Sequence, residues 1–317
     1  MRAAHDIYQM VKISVRNIWR NRRRSIMTML GICVGTVTLI SLGGYVKIMD
    51  IGLKDQAINK DFGHFQVGRP GCFADDHSAE YLLPEEEFTL TENKLYELEE
   101  VEFVNKRLYI AGIIGNLKKS TVFGGTCGQA DVEIFMLPHI VQGEPLSGTD
   151  PTGIVIGRSL ASKLGVSVND NLIVFFPSET GAQEAINVSV RGVYQGLFKE
   201  QETFTIYLPL ETAWELMLEK KVHRILVFLR DIKKLNKAIE EIRNFIEENH
   251  LDLEVKPWYE LAVYYRQIIA MFKNIILFGG VIIFFIIIFS IANTMYMVIG
   301  ERTREIGTLR AIGNSRF

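Results

Sequence analysis

Cysteine is scarce in this sequence, whose three thiols, Cys33, Cys72 and Cys127, are too few to staple a disulfide scaffold. No G-x-x-x-x-G-K-S/T phosphate loop occurs, so the chain lacks the usual cradle for nucleotide phosphates. It is expected to hydrolyse no ATP itself and to be no enzyme. H-E-x-x-H, C-x-x-C and G-x-S-x-G are also missing, which removes the signatures of zincins, dithiol or zinc sites and hydrolase nucleophile elbows. His64, His77, His139, His223 and His250 are scattered and read as surface or structural histidines. No catalytic residue, no metal ligand and no cofactor is expected.

Charge is absent from two long stretches. Ile26–Val46 lies between the basic cluster Arg22, Arg23, Arg24 and Lys47. As a helix its 21 residues are about 31 Å long, close to the roughly 30 Å hydrocarbon core of a bilayer. Asn274–Gly300 is also uncharged, and its centre, Val281–Phe289, is Val, Ile and Phe throughout. A soluble core helix rarely sustains so many uncharged residues without a polar face. A cleaved signal peptide fits the first stretch poorly, because the apolar run is long, begins after 25 residues and has no A-x-A pattern. Both read as transmembrane helices.

Basic residues set the orientation. Residues 1–46 hold Arg2, Lys12, Arg16, Arg20, Arg22, Arg23 and Arg24 against Asp6 alone, and Arg302, Arg304, Arg310 and Arg316 follow the second span against Glu301 and Glu305. Both ends are therefore expected in the cytoplasm. Residues 47–273 carry 24 basic and 34 acidic side chains, a net −10, and are expected outside the inner membrane. An acidic surface of this kind excludes nucleic acid as the expected partner. Ile7, Tyr8, Val11, Val15, Ile18 and Trp19 share one arc of a helical wheel beside Lys12, Arg16 and Arg20, so residues 1–25 read as an interfacial helix on membrane lipid.

Between the spans, β-like and helical runs alternate, which predicts a mixed α/β domain. Strands are expected at Phe65–Val67, Arg107–Ile114, Val132–Met136, Gly153–Ile156, Leu172–Phe176, Ile186–Val193, Thr203–Leu208 and Arg224–Leu229. Helices are expected at Glu92–Glu99, Arg158–Leu164, Leu210–Leu218 and Ile232–Asn249. Gly, Pro, Ser and Thr cluster at Gly143–Pro151 and Pro177–Gln183, marking loops within a strand-rich insert of about 120–210. The expected fold is thus an α/β extracytoplasmic domain of two subdomains inserted between two transmembrane helices, with spans at 26–46 and 274–300, the domain at 47–273 and a cytoplasmic helix at 301–317. Cys72 and Cys127, both expected outside, form a possible disulfide where oxidation permits.

One segment is specific. Asn293-Thr294-Met295 is followed by Glu301-Arg302-Thr303-Arg304-Glu305-Ile306-Gly307-Thr308-Leu309-Arg310-Ala311-Ile312-Gly313. This resembles the MacB/FtsX-type ABC transporter permeases, whose second membrane helix ends in N-T-M and continues into E-R-x-R-E-I-G-x-L-R-A-x-G. The likeness extends to Asn17–Gly31 and to Ile156–Gly165, so it covers essentially the whole chain. Gly63-His64-Phe65-Gln66-Val67 looks most like the strand of the lipoprotein-releasing branch; the efflux and cell-division branches are the alternatives.

The resemblance implies a permease working with a cytoplasmic ABC ATPase, which uses the ATP, and with a second permease copy or paralogue as a dimer, to act on an extracytoplasmic client. It also implies four membrane helices, so either the chain is a fragment or the product of a split gene, or the remaining two helices are expected from elsewhere. Glu301, Arg304, Glu305, Ile306 and Leu309 are the implied ATPase coupling residues, with charges to orient the helix and an apolar edge to fit a groove. Asn293, polar near the end of the second span, is expected to hydrogen-bond a neighbouring helix. The rival reading is a two-span sensor or membrane-anchored adaptor with an extracytoplasmic ligand-binding domain.

Overall fold

The structure is a computed structural model that describes residues 22–73, 78–137, 139–177, 183–196 and 199–312. The expected interfacial helix of residues 1–25 falls almost entirely outside the described residues. The chain divides into two units, residues 1–52 with 266–317 and residues 53–265.

The described residues of the first unit are helical up to Ala311. α1 runs Arg22–Gln56, and a far longer helix, Val263–Ala311, closes the described chain. Both are long and apolar enough to cross a membrane. Their large apolar side chains point outward all round, with Ile40 at 70% and Phe289 at 69% exposure, as suits a helix solvated by lipid rather than water. Thr36 and Thr38 donate their hydroxyls to the Ile32 and Val34 carbonyls, so these polar groups are satisfied within the helix. Tyr45 and Phe272 pack edge to face with ring centroids 5.9 Å apart.

The second unit begins with a π-helix, Ala57–Phe62, followed by β1 (Phe65–Gly68), β2 (Leu83–Pro84), α2 (Glu85–Glu97), β3 (Val101–Gly115) and β4 (Ser120–Gly128). Next come α3 (Ala130–Met136), β5 (His139–Gly143), β6 (Gly153–Gly157), α4 (Arg158–Leu164), β7 (Asn171–Pro177) and β8 (Gln183–Gln195). The remainder is α5 (Lys199–Phe204), β9 (Thr205–Pro209), α6 (Leu210–Met217), β10 (Lys221–Val222), β11 (Arg224–Leu229), α7 (Leu235–Glu248), β12 (Glu254–Pro257) and α8 (Trp258–Leu261), after which α9 is the long helix from Val263.

The long strand β3 belongs to two sub-structures. Its first half joins an antiparallel layer in the order β12-β1-β11-β3. α7 lays Leu235, Ala238, Ile239, Ile242 and Ile246, spaced three and four apart, into the core with this layer. The second half of β3 pairs with β4 on one side and with β7 on the other. Because β4 pairs β9, β9 pairs β6, β6 pairs β8 and β8 pairs β7, the ladder returns to β3 and closes a six-stranded ring. Closure leaves no free edge within the ring, and alternate side chains fill its interior. Leu108, Ile110 and Ile114, Phe123 and Cys127, Ile206 and Leu208, Ile154 and Ile156 are all buried there.

Gly112 makes the closure possible: a Cβ at this position would lie 2.2 Å from the Phe175 carbonyl oxygen, so only glycine lets β3 approach β7 so closely. β6 is buried along its whole length because the ring wall is covered outside as well, where Ala130, Leu137, Leu146, Val155 and Tyr194 form a second cluster.

Several expectations are corrected. Val132–Met136 is helical, not a strand: this short apolar run turns Glu133 and Met136, three apart, into the interior. The strand expected at Thr203–Leu208 starts at Thr205, after a short helix. The helix expected at Glu92–Glu99 begins at Glu85, and Ile232–Asn249 opens with a 3-10 turn before α7. β4, with three glycines among nine residues, has no strand-like composition, yet it pairs with eight consecutive residues of β3.

Candidate functional site

The predicted coupling segment is the end of α9 rather than a separate helix. Arg302 Nη1 meets Glu305 Oε2 at 2.6 Å, one turn apart on the exposed surface. Ile306 and Leu309 are each 52% exposed and three residues apart, so they present one apolar edge. Arg304 is exposed, while the Glu301 side chain and Gly313 lie outside the described residues. Asn293 sits on the same helix with an exposed side chain. These residues form an alternating charged and apolar surface with no chemistry of its own.

A second constellation, absent from the sequence expectations, lies at the base of residues 53–265, where the chain enters the domain and leaves it. The π-helix feeds β1 through Gly63, whose φ of +70° favours glycine and where a Cβ would press against the Val227 carbonyl oxygen at 3.0 Å. β1 pairs with β12, matching Phe65 to Pro257, and the Trp258 amide donates to the His64 carbonyl. The Tyr264 hydroxyl donates to Asp61 Oδ2 at 2.8 Å, and the Tyr264 ring lies 6.4 Å from that of Phe62. The segments that lead in and out are therefore tied side by side.

Behind them is a buried ion pair. Arg107 Nη2 donates to Glu133 Oε1 at 2.7 Å, with side-chain exposures of 6% and 0%. Arg107 Nη1 donates to the Asp61 carbonyl at 2.8 Å, and Asn105 Nδ2 donates to Glu133 Oε2 at 2.5 Å. Lys60 Nζ reaches the Leu137 carbonyl at 3.3 Å, adding a tie from the π-helix to the end of α3. Burial opposes the Arg107 charge, but Glu133 more than offsets it and holds the guanidinium above its usual pKa. Burial raises the Asp61 carboxyl, against the Tyr264 hydrogen bond and the Arg107 charge that favour the ionised form. Burial, helped by Lys54, lowers His64 to about 4, so its neutral Nδ1 accepts the Leu229 amide at 3.1 Å. Nothing here resembles a reaction centre, and no cluster of His, Cys, Asp and Glu fit for a metal occurs among the described residues.

The expected disulfide is not formed. Cys72 and Cys127 are both free and buried. Cys72 Sγ lies beside Gly68, which pairs with Arg224, which pairs with Arg107, and Cys127 is the β4 partner of the next residue, Leu108. Three strand spacings, about 14 Å, separate these positions, against the roughly 4.4–6.8 Å between Cα atoms that a disulfide needs. Burial pushes Cys72 up to about 11 and raises Cys127 too, so both are inert thiols.

The motifs quoted for the resemblance in this domain have architectural work. In Ile156–Gly165, Gly157 faces the Glu202 backbone at a distance no Cβ tolerates, Ser159 Oγ donates to Glu202 Oε2, and Leu160, Ala161 and Leu164 are buried. In Gly63–Val67, His64 accepts from β11, Gln66 Nε2 donates to the Phe62 carbonyl, and Phe65 and Val67 fill the core. That strand therefore carries the fold.

The fold and the two apolar helices define a membrane protein with a mixed α/β domain of the periplasmic kind. Residues 25–245 match the MacB-like periplasmic core domain, and the chain belongs to that family. A relative from Methanocaldococcus jannaschii, described as the uncharacterized ABC transporter permease MJ1507, is 21% identical over 96% of this chain and 75% of its own length. Similar solved structures include the periplasmic region of MacB from Actinobacillus actinomycetemcomitans, with a TM-score of 0.49 and 15% identity over 65% of this chain and 93% of that one. The extracellular domain of the noncanonic ABC-type transporter YknZ from Gram-positive bacteria gives 0.45 and 12% over 61% and 98%.

Proposed function

We propose that this chain is the permease subunit of an ATP-driven transporter of the inner membrane, converting closure of a partner ATPase into motion of its extracytoplasmic domain. The observation that carries this reading is α9. One helix holds Tyr264, tied to Asp61, near its start and the Arg302–Glu305 pair with exposed Ile306 and Leu309 near its end. Its 49 residues are about 74 Å long, more than twice the hydrocarbon thickness of a bilayer. A continuous helix is stiff along its axis, so a displacement at one end is felt at the other.

Family membership and the description of the archaeal relative support a permease role. With no phosphate loop in the chain, the energy comes from a separate ATPase docking on Arg304, Glu305, Ile306, Leu309 and Glu301. The assembly is a pair of permeases, in which Asn293 packs against a neighbouring helix, and the client, a lipoprotein or an effluxed molecule, is acted on outside the membrane.

Co-purification with a co-expressed ABC ATPase tests the docking surface. Glu305→Lys and Leu309→Asp are expected to reduce ATPase recovery about tenfold, equivalent to about 1.4 kcal/mol, with membrane insertion unchanged. Equal recovery in both variants returns residues 301–313 to a flank that merely stops translocation.

A further inference from the structure

The outer wall of the ring carries an apolar strip that nothing covers among the described residues. Phe175, Ile113 and Val122 face one another across β7, β3 and β4 and are 38%, 44% and 61% exposed. Leu117, at the tip of the β3–β4 hairpin, is fully exposed. Beside that tip an open hollow of about 590 Å³ runs between the hairpin, the end of α4 and the start of β7, with Leu117, Leu164, Val166 and Ile173 among its lining. A second hollow of about 340 Å³, lined by Val122, Phe204, Lys163 and Lys199, adjoins it.

The charge beside this strip is mostly positive. Lys118 and Lys119 line the larger hollow and Lys163 and Lys199 the smaller, within a domain whose net charge is −10. Lys119 Nζ donates to the Lys163 carbonyl at 3.1 Å and Lys163 Nζ to Thr121 Oγ1 at 2.7 Å, so both ammonium groups are held by neutral acceptors. None of the four lysines is ion-paired among the described residues, whereas Lys94, Lys106, Lys220 and Lys237 elsewhere in the domain each meet a carboxylate. Asp170, the one carboxylate lining the larger hollow among the described residues, accepts from the Ser167 amide at 2.7 Å.

An apolar trough flanked by cations without carboxylate partners matches a ligand with a hydrocarbon chain and an anionic head. The larger hollow falls within the roughly 300–1,000 Å³ of small-molecule sites, and its concavity favours such a ligand over a flat protein face. We propose that this groove binds a single-chain anionic amphiphile, its chain along Leu117, Leu164, Val166 and Ile173 and its head against Lys118 and Lys119. The assignment does not depend on ATPase coupling and stands or falls separately from it.

Lysine reductive methylation read by mass spectrometry, on the full chain in zwitterionic nanodiscs, tests it with octyl phosphate, octyl glucoside and inorganic phosphate below micellar concentrations. Octyl phosphate is expected to slow modification of Lys118, Lys119 and the adjoining Lys163 about tenfold, leaving Lys94 unchanged, while the other two compounds protect none of the three. Leu117→Ser should weaken that protection about tenfold with both lysines still present, and Lys118→Gln with Lys119→Gln should abolish protection read at Lys163. Equal protection by inorganic phosphate would reduce the groove to an anion site, and equal protection by octyl glucoside to an apolar patch. No protection by any of the three would mark a protein-docking face. Each of these results overturns the proposal.

Discussion

Replacing Glu133 by Gln removes, among the described residues, the one carboxylate bonded to Arg107, at a site where both side chains are at most 6% exposed. The guanidinium then keeps its charge without its hydrogen-bonded counter-charge, held by the Asp61 carbonyl with the Asp61 carboxyl nearby. Truncating one partner of a buried pair costs about 3–5 kcal/mol, because the remaining ion has lost its water as well as its partner. The glutamine amide also presents a donor toward Asn105 Nδ2, which now donates to Glu133 at 2.5 Å. For a domain of this size each kcal/mol lowers the melting temperature by about 2–4 °C, so a drop of roughly 6–20 °C is expected. Tryptophan fluorescence of the full chain in detergent reports it, since Trp214 and Trp258 both lie in this domain. Pairing Arg107→Met with Glu133→Met removes both charges together and should cost less than Glu133→Gln alone. A double variant worse than the single, or a single variant within about 0.5 kcal/mol of the parent, would refute the ion-pair reasoning.

Tyr264→Phe should cost about 1–3 kcal/mol at neutral pH, where Asp61 must ionise without its hydrogen bond. That deficit should shrink as pH falls through the raised Asp61 pKa, and a deficit independent of pH in thermal unfolding would speak against the assignment. His64, whose native pKa lies near 4 against 6.5 ordinarily, should make the domain lose stability as pH falls from about 6.5 to 4, because the unfolded chain binds a proton the native chain refuses. His64→Asn, which can still accept the Leu229 amide, should flatten that slope, and an unchanged slope would assign it to other groups. Cys72 and Cys127 should resist alkylation at pH 8 until the domain unfolds, and then react as two separate thiols in non-reducing peptide mapping.

Much of the architecture is legible because it is written in local patterns. An uncharged run of bilayer length needs no partner to be recognised, and the Leu235–Ile246 spacing declares a buried helix face. β11 is apolar from Ile225 to Leu229, as a central strand should be. β4 is hidden because its glycines are chosen by neighbouring side chains and not by strand propensity. The junction is hidden for a different reason: Asp61, Arg107, Glu133 and Tyr264 are spread over two hundred residues and meet only when β3, α3 and the π-helix pack. The signals available were a lone Glu inside the apolar run Val132–Met136 and an Arg opening an otherwise apolar strand, both of which ask for a buried partner. The proposed coupling residues rest on the resemblance alone, since an exposed charged helix end has no other signature.

Photocrosslinking from position 309 in membranes containing the co-expressed ATPase tests the central claim most directly. A photoreactive residue in place of Leu309 is expected to form an adduct with the ATPase, diminished by Glu305→Lys, while the same residue at Val122 forms none. Absence of an ATPase adduct from position 309, with the protein inserted and folded, would contradict the account.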